Sequence, residues 1–191
     1  MYLEQFPMES RNHGWVEVIC GSMFSGKTEE LIRRLKRVEF ANQKFLLFKP
    51  KTDNRYDGVV VKSHKGSVLD GILIENANAV FQHITDEKVI AFDEVQFFDM
   101  GIIDVVKKLA DDGFRVICAG LDMDFQGNPF GAVPHLLATA EYVKKVHAIC
   151  VNCGNLAYIS HRTAGGTAQV LVGASEKYKP LCRSCNNREH A

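Results

Sequence analysis

The sequence has little of what would send a chain to a membrane, out of the cell or onto a nucleic acid. No apolar run approaches the roughly 20 residues needed to span a bilayer. Residues 1–14 carry Glu4 and Glu9 and lack an apolar core, so they do not fit a secretory signal. The expectation is a cytoplasmic chain without a membrane partner. Lys+Arg and Asp+Glu balance at 23 each, which removes any global electrostatic argument for nucleic acid as a partner. His13, His64, His83, His135, His147, His161 and His190 contain no pair at ligand spacing, so none is assigned to a metal. Internal repeats and low-complexity tracts are missing as well.

What is present supports a packed fold. A chain of 191 residues with 46% hydrophobic content has room for one full domain and a small appendage. Trp15 to Cys20, Phe45 to Phe48, Val89 to Phe92, Arg115 to Ala119 and Tyr142 to Ile149 read as apolar core strands. Helical patterns over 28–41, 76–84, 102–109 and 129–140 fall between them. Apolar rather than alternating strands, separated by helices, predict a parallel sheet covered on both faces. From Cys150 onward Gly, Asn, Thr and Cys dominate, and only Leu156 to Ile159 and Gln169 to Val172 look extended. The expected division is therefore 1–149 and 150–191.

The first strand runs into Gly21-Ser22-Met23-Phe24-Ser25-Gly26-Lys27-Thr28, and a helical stripe of Leu31, Ile32, Leu35 and Val38 follows. Strand, glycine loop and helix N-terminus together aim backbone N–H groups at a phosphate. Lys27 is placed to reach the β- and γ-phosphates, and the Thr28 hydroxyl to face a magnesium ion. Such a loop needs a second carboxylate at the end of a hydrophobic strand, and Asp93, after Val89 to Phe92, supplies it. Glu94 comes next. On an extended chain its side chain points to the opposite face, toward an acceptor. The acid pair argues for phosphoryl transfer without naming the acceptor, so an ATPase, a nucleoside monophosphate kinase and a nucleotide-switched binding protein all stay open. Arg33, Arg34, Lys36 and Arg37 read as a solvated helix face, with Glu29–Arg33 and Glu30–Arg34 pairs.

The six cysteines divide cleanly. Cys150-x-x-Cys153 and Cys182-x-x-Cys185 have the spacing of a structural zinc site with four thiolates. Two disulfides or a redox pair are the weaker readings. Cys20 and Cys118 read as buried core thiols. Phe97 and Phe125 could be core residues, but they lie just beyond strand ends, where parallel sheets bind ligands, and either could stack on a planar base.

Together GSMFSGKT, FDEVQFF at 92–98, GLDMDFQGNPFG at 120–131 and the double CxxC with Lys177-Tyr178 before the last knuckle resemble the type II thymidine kinases. The resemblance extends from about Trp15 to Cys185. It implies a P-loop, RecA-like α/β fold with a small zinc-binding subdomain and a lasso-like loop. It also implies transfer of the γ-phosphoryl group of ATP, with magnesium, to the 5′-hydroxyl of thymidine and of deoxyuridine, in nucleoside salvage for DNA synthesis. Glu94 matches the family's general base, with Lys27 beside it in catalysis, and Thr28 and Asp93 match its magnesium residues. The ATP site takes in residues 21–28 with Asp93, Glu94, Val95 and Gln96, and the polar residues Asp53 and Arg55 fall near the phosphates. Met23, Phe97, Leu121 and Phe125 match positions enclosing the thymine ring. Gln169, Leu171 and Gly173 match backbone positions of the lasso, which closes on Tyr178. Ser160 stands near the base methyl, where a threonine is common. A homotetramer and feedback inhibition by thymidine triphosphate are further implications of the resemblance.

Overall fold

Alternate residues of the central strands enter two different cores, and this divides the molecule into layers. In β1 (Trp15–Cys20), Val16, Val18 and Cys20 face one side, and Ile19 faces the other. The structure is a computed structural model that describes residues 14–51, 60–62, 68–163, 169 and 177–189. The elements after β1 are α1 (Lys27–Phe40), β2 (Phe45–Pro50), β3 (Val60–Lys62), β4 (Val68–Asp70) and β5 (Ile72–Ile74). A 3-10 turn at Ala77–Gln82 leads to β6 (Val89–Phe92) and a second such turn at Val95–Phe97. Then come α2 (Ile102–Asp111), β7 (Arg115–Gly120), α3 (Val133–Thr139) and β8 (Tyr142–Lys145).

Six strands form one sheet in the order β5-β2-β6-β7-β1-β8, and every pairing in it is parallel. Leu31, Ile32, Leu35 and Val38 of α1 pack on Ile19, Leu47, Ala91, Ile117 and Ala119. The opposite face packs Val18, Phe92 and Cys118 against Val106 and Leu109 of α2 and Leu136 of α3. This is the predicted α/β sheet with helices on both faces. In register, Cys20 lies beside Gly120, and Phe92 beside Cys118. The carboxyl ends of β1, β7 and β6 are therefore nearly flush. The segments starting at Gly21, Leu121 and Asp93 leave the sheet along one edge, with β7 between the other two strands.

Beyond the sheet, β9 (Ala148–Ile149) pairs with β10 (Leu156–Ala157), and β11 (Ile159–Arg162) pairs antiparallel with β12 (Tyr178–Leu181). The helix α4 (Arg183–Glu189) follows. Ala148, Cys150, Ala157, Leu181, Cys182 and Cys185 form their own small core, against which Phe24 of the glycine loop packs.

Several expectations are corrected. Arg34 is not on a solvated face: it is only 4% exposed, held by Glu17 of β1 and by Glu30 at 3.0 Å. Arg115 reaches the same Glu17 at 2.6 Å. A charge on the buried side of α1 persists because carboxylates meet it there. Arg33 binds Glu30 at 2.9 Å, while Arg33, Lys36 and Arg37 are exposed as expected. The strand expected over Tyr142 to Ile149 is two strands. β8 runs beside β1, and after a break at 146–147 β9 turns to pair with β10. The helix expected from Pro129 starts at Val133, because 122–130 folds into its own loop. In that loop Asp124 N donates to Asn128 O at 2.9 Å and Phe130 N to Asp122 O at 3.2 Å.

Candidate active site

The glycine loop is shaped by close approach as much as by flexibility. Gly21 has φ of 147°, and a Cβ there would lie 2.2 Å from the Val146 carbonyl oxygen. That carbonyl belongs to the residue whose N–H donates to Cys20 O at 2.8 Å, so the β8 exit packs directly on the loop. Ser22 O accepts from Lys27 Nζ at 2.8 Å and from Ser25 Oγ at 2.7 Å, which folds the loop back on itself. Gly26 stands at the N-cap of α1 and has no side chain to cap it. Its first N–H groups and the positive end of its dipole are thus directed at the space the loop encloses.

Across that space, Asp93 continues the β6 ladder, its N–H donating to Phe48 O at 2.9 Å. Its carboxyl is buried. Oδ1 accepts from Glu94 N at 3.0 Å, and Oδ2 lies 3.5 Å from Thr28 Oγ1, which donates. Burial, together with repulsion from Glu94, pushes the Asp93 pKa up to about 7, against smaller opposing effects of Lys49 and Lys27. A divalent cation beside this carboxyl would favour its ionised form. The hydroxyl and the carboxylate are both hard oxygen donors of the kind magnesium takes, so the pair fits that ion.

Glu94 is not extended. Its φ of 53° and ψ of 42° lie in the left-handed region, so a sharp turn, and not strand alternation, separates the two acids. The turn is imposed by the 3-10 segment that follows, where Val95 is fully buried. Gln96, also buried, donates from Nε2 to Glu94 Oε2 at 2.6 Å and accepts at Oε1 from Leu121 N at 2.9 Å. Strain and a dedicated hydrogen bond at one carboxylate beside a phosphate loop are features of a group held for use.

The loop after β7 and the C-terminal hairpins bring in most of the other expected residues. Leu121 is buried next to Gln96. Phe97 meets Phe130 edge-on, with ring centroids 5.7 Å apart. Ser160 is buried, and its Oγ accepts from Met23 N at 3.0 Å, which ties β11 to the glycine loop. Tyr178 Oη accepts from Arg162 Nη2 at 2.8 Å, and Gln169 Nε2 donates to Asp124 Oδ2 at 3.0 Å. One face of Phe125 carries the Arg162 guanidinium, 3.5 Å from the ring centroid. Asp53, Arg55, Leu171 and Gly173 lie outside the described residues. Sequence reasoning missed Arg162 and Asp124. Arg162 sits opposite Tyr178 in the β11–β12 register, and no periodicity in two four-residue strands so far apart could have paired them.

No disulfide joins any of the six cysteines, and Cys20 and Cys118 are buried in the sheet. The sulfur atoms of Cys150, Cys153, Cys182 and Cys185 all lie within 4.8 Å of one another, and those of Cys153 and Cys182 are 3.6 Å apart. Zinc–thiolate bonds of about 2.3 Å in a tetrahedron put sulfurs about 3.8 Å apart, so the four thiols fit zinc without rearranging the fold. Among the described residues, no helix is long and apolar enough to cross a membrane.

Comparison with known proteins agrees with this arrangement. A family model described as thymidine kinase matches residues 14–186. A thymidine kinase of Bacteroides thetaiotaomicron is 52% identical over 185 residues, spanning 97% of this chain and 93% of the relative. Thymidine kinases of two Bacteroides fragilis strains are 51% identical over 188 residues, spanning 98% of this chain and 94% of each relative.

Proposed function

The chain belongs to the thymidine kinase family, and on that premise we propose that it transfers the γ-phosphoryl group of ATP to the 5′-hydroxyl of thymidine. Deoxyuridine, which lacks only the C5 methyl group, is proposed as a second acceptor. The reaction would return free nucleoside to the pool used for DNA synthesis. The observation that carries this reading is the meeting of a helix start and a strand end. Thr28 at the start of α1 reaches Asp93 at the end of β6, and Glu94 is the next residue.

The glycine loop would bind the phosphates through its backbone N–H groups and the N-terminus of α1. Lys27 would exchange the Ser22 carbonyl for phosphate oxygens and neutralise charge gathering on the transferring group. Thr28 and Asp93 would hold magnesium, whose charge stabilises the β- and γ-phosphate oxygens when it is bound. Glu94 would accept the 5′-hydroxyl proton as that oxygen attacks the γ-phosphorus. The bond to the β–γ bridging oxygen breaks, and ADP leaves. Leu121, Phe97 and Phe125 would form the seat of the base, with Met23 at the junction between donor and acceptor sides. Zinc on Cys150, Cys153, Cys182 and Cys185 would be structural, because four thiolates leave no open position.

Product analysis with ATP, magnesium and a panel of nucleosides tests the reading. The expected product is thymidine monophosphate together with ADP. ADP release without nucleoside monophosphate, or preference for a nucleoside monophosphate as acceptor, would overturn it. Family membership also makes thymidine triphosphate the proposed feedback inhibitor and a homotetramer the proposed assembly.

A further inference from the structure

Arg162 of β11 makes contact with three separate parts of the acceptor side. Its guanidinium lies over the Phe125 ring at 3.5 Å from the centroid. Its Nε and Nη2 both donate to Tyr178 Oη, at 3.2 and 2.8 Å. The same Nη2 donates to the Gln169 backbone oxygen at 3.0 Å. Gln169 in turn donates through Nε2 to Asp124 Oδ2 at 3.0 Å. Asp124 is buried, and its other oxygen accepts from Gln126 N at 2.9 Å and Asn128 N at 3.0 Å. The chain of contacts is closed. It runs from the 121–130 loop through Gln169 to Arg162 and back, through the Phe125 ring, to the same loop.

We propose that Arg162 is a positioning residue for the nucleoside, holding Phe125 and Tyr178 in one arrangement against the loop after β7. The proposal rests on the thymidine kinase reading of this site. A role confined to bracing β11 against β12 would need only the Tyr178 contact, since those two residues face each other in the ladder. The Phe125 contact reaches outside that hairpin, to the loop after β7, and Gln169, in the segment joining β11 to β12, is itself bound to Asp124 of that loop. Arginine suits the task because a planar guanidinium stacks flat on a ring while its edge donates several hydrogen bonds in fixed directions. A lysine ammonium offers the charge without the plane or the fork. With Arg162 in place, Phe125 has one face covered and its rotation restricted, which leaves its other face and edge for a base.

Steady-state kinetics of Arg162→Ala and Arg162→Lys test this, with zinc content and ATP KM as controls of the fold. The KM for thymidine should rise about tenfold or more in both variants, while the KM for ATP stays within about twofold. A thymidine KM unchanged in Arg162→Ala, an equal rise in the ATP KM, or full rescue by Arg162→Lys would each overturn the proposal. If Arg162→Ala loses its zinc, Tyr178→Phe removes only the hydroxyl that accepts both arginine donors. A raised thymidine KM is expected there too, and an unchanged one counts against the proposal. Amide hydrogen exchange needs no turnover: segment 121–130 should exchange faster in Arg162→Ala, and identical exchange would overturn the coupling. Should the wild-type protein phosphorylate no nucleoside, the functional reading falls, and the exchange result still decides whether Arg162 holds Phe125.

Discussion

The side-chain amide of Gln96 bridges Glu94 and the backbone of Leu121, and its orientation is fixed by chemistry. The Leu121 N–H is a donor and can meet only Oε1, so the Nε2 end must face the Glu94 carboxylate, 2.6 Å away. The strand end of β7 thereby sets the position of the acid that follows β6.

Glu94→Gln should lower kcat by about two to four orders of magnitude and leave the ATP KM nearly unchanged, because it removes a proton acceptor and little volume. Gln96→Leu should lower kcat less, by about tenfold. It should also reduce stability by about 1–3 kcal/mol, since it leaves the Leu121 N–H buried without an acceptor. Gly120→Ala probes the same contact from the other side, as its Cβ would lie 2.7 Å from Gln96 Oε1 and 2.7 Å from Val95 Cγ1. Rates at saturating substrates and thermal melts separate the effects. Full activity in Glu94→Gln would remove it from the proton-transfer role.

Removing zinc should affect both substrates. The cysteine core packs on Phe24 of the glycine loop, and Ser160 holds Met23 N, so the C-terminal hairpins buttress the loop proposed to bind phosphate. The preparation should contain about one zinc per chain. Chelation, or Cys182→Ser, should lower Tm and raise the KM of ATP as well as that of thymidine. Unchanged folding and unchanged KM values after verified zinc loss would disprove the anchoring role.

Acid should weaken the α1 charge cluster in a predictable window. Burial alone would raise the Glu30 pKa, but hydrogen bonds from Arg33, Lys144 and Arg34 outweigh it and hold the group at about 2. This folded value lies below the unfolded one of about 4.3. The stabilisation is therefore complete above about pH 5 and is lost as pH falls toward 2. Arg33 and Lys144 are partly solvated, at 47% and 35% side-chain exposure, so the contribution is about 1–2 kcal/mol after screening. The stability gap between wild type and Glu30→Gln should narrow across that range in denaturant titrations. A gap that stays constant with pH would show that the carboxylate charge is not the source.

Arg34→Met should be costly despite its similar length. It would leave Glu17, whose carboxyl Arg115 also contacts, short of one charged partner in a buried site, at a cost of about 3 kcal/mol. Arg37→Met, on the exposed side of the same helix, should change stability by less than about 0.5 kcal/mol. Equal melting temperatures for the two variants would refute the buried role of Arg34.

Much of the molecule could be read from contiguous residues. The glycine loop, the apolar runs at 15–20, 89–92 and 115–119 and the two CxxC knuckles each carry their signal within a few positions. Strand burial on both faces, phosphate-loop geometry and metal-ligand spacing are local constraints of this kind. The sequence by itself therefore determined the layered α/β sheet, the glycine loop between its first strand and first helix, and the cysteine cluster. Contacts between distant elements had no such signature. Arg34 looked solvated because Glu17, its partner, stands on another element. Glu94 looked extended because the turn that bends it is set by Val95 in the core. The helix at 183–189 has no apolar stripe to announce it, and its one buried residue is Cys185, a member of the cysteine cluster. Arg162 acquired a role only when β11 and β12 paired and the loop after β7 came beneath it. The tertiary structure alone decided these placements, because the partner that fixes each one is brought near by the sheet and the cysteine cluster, not by the neighbouring chain.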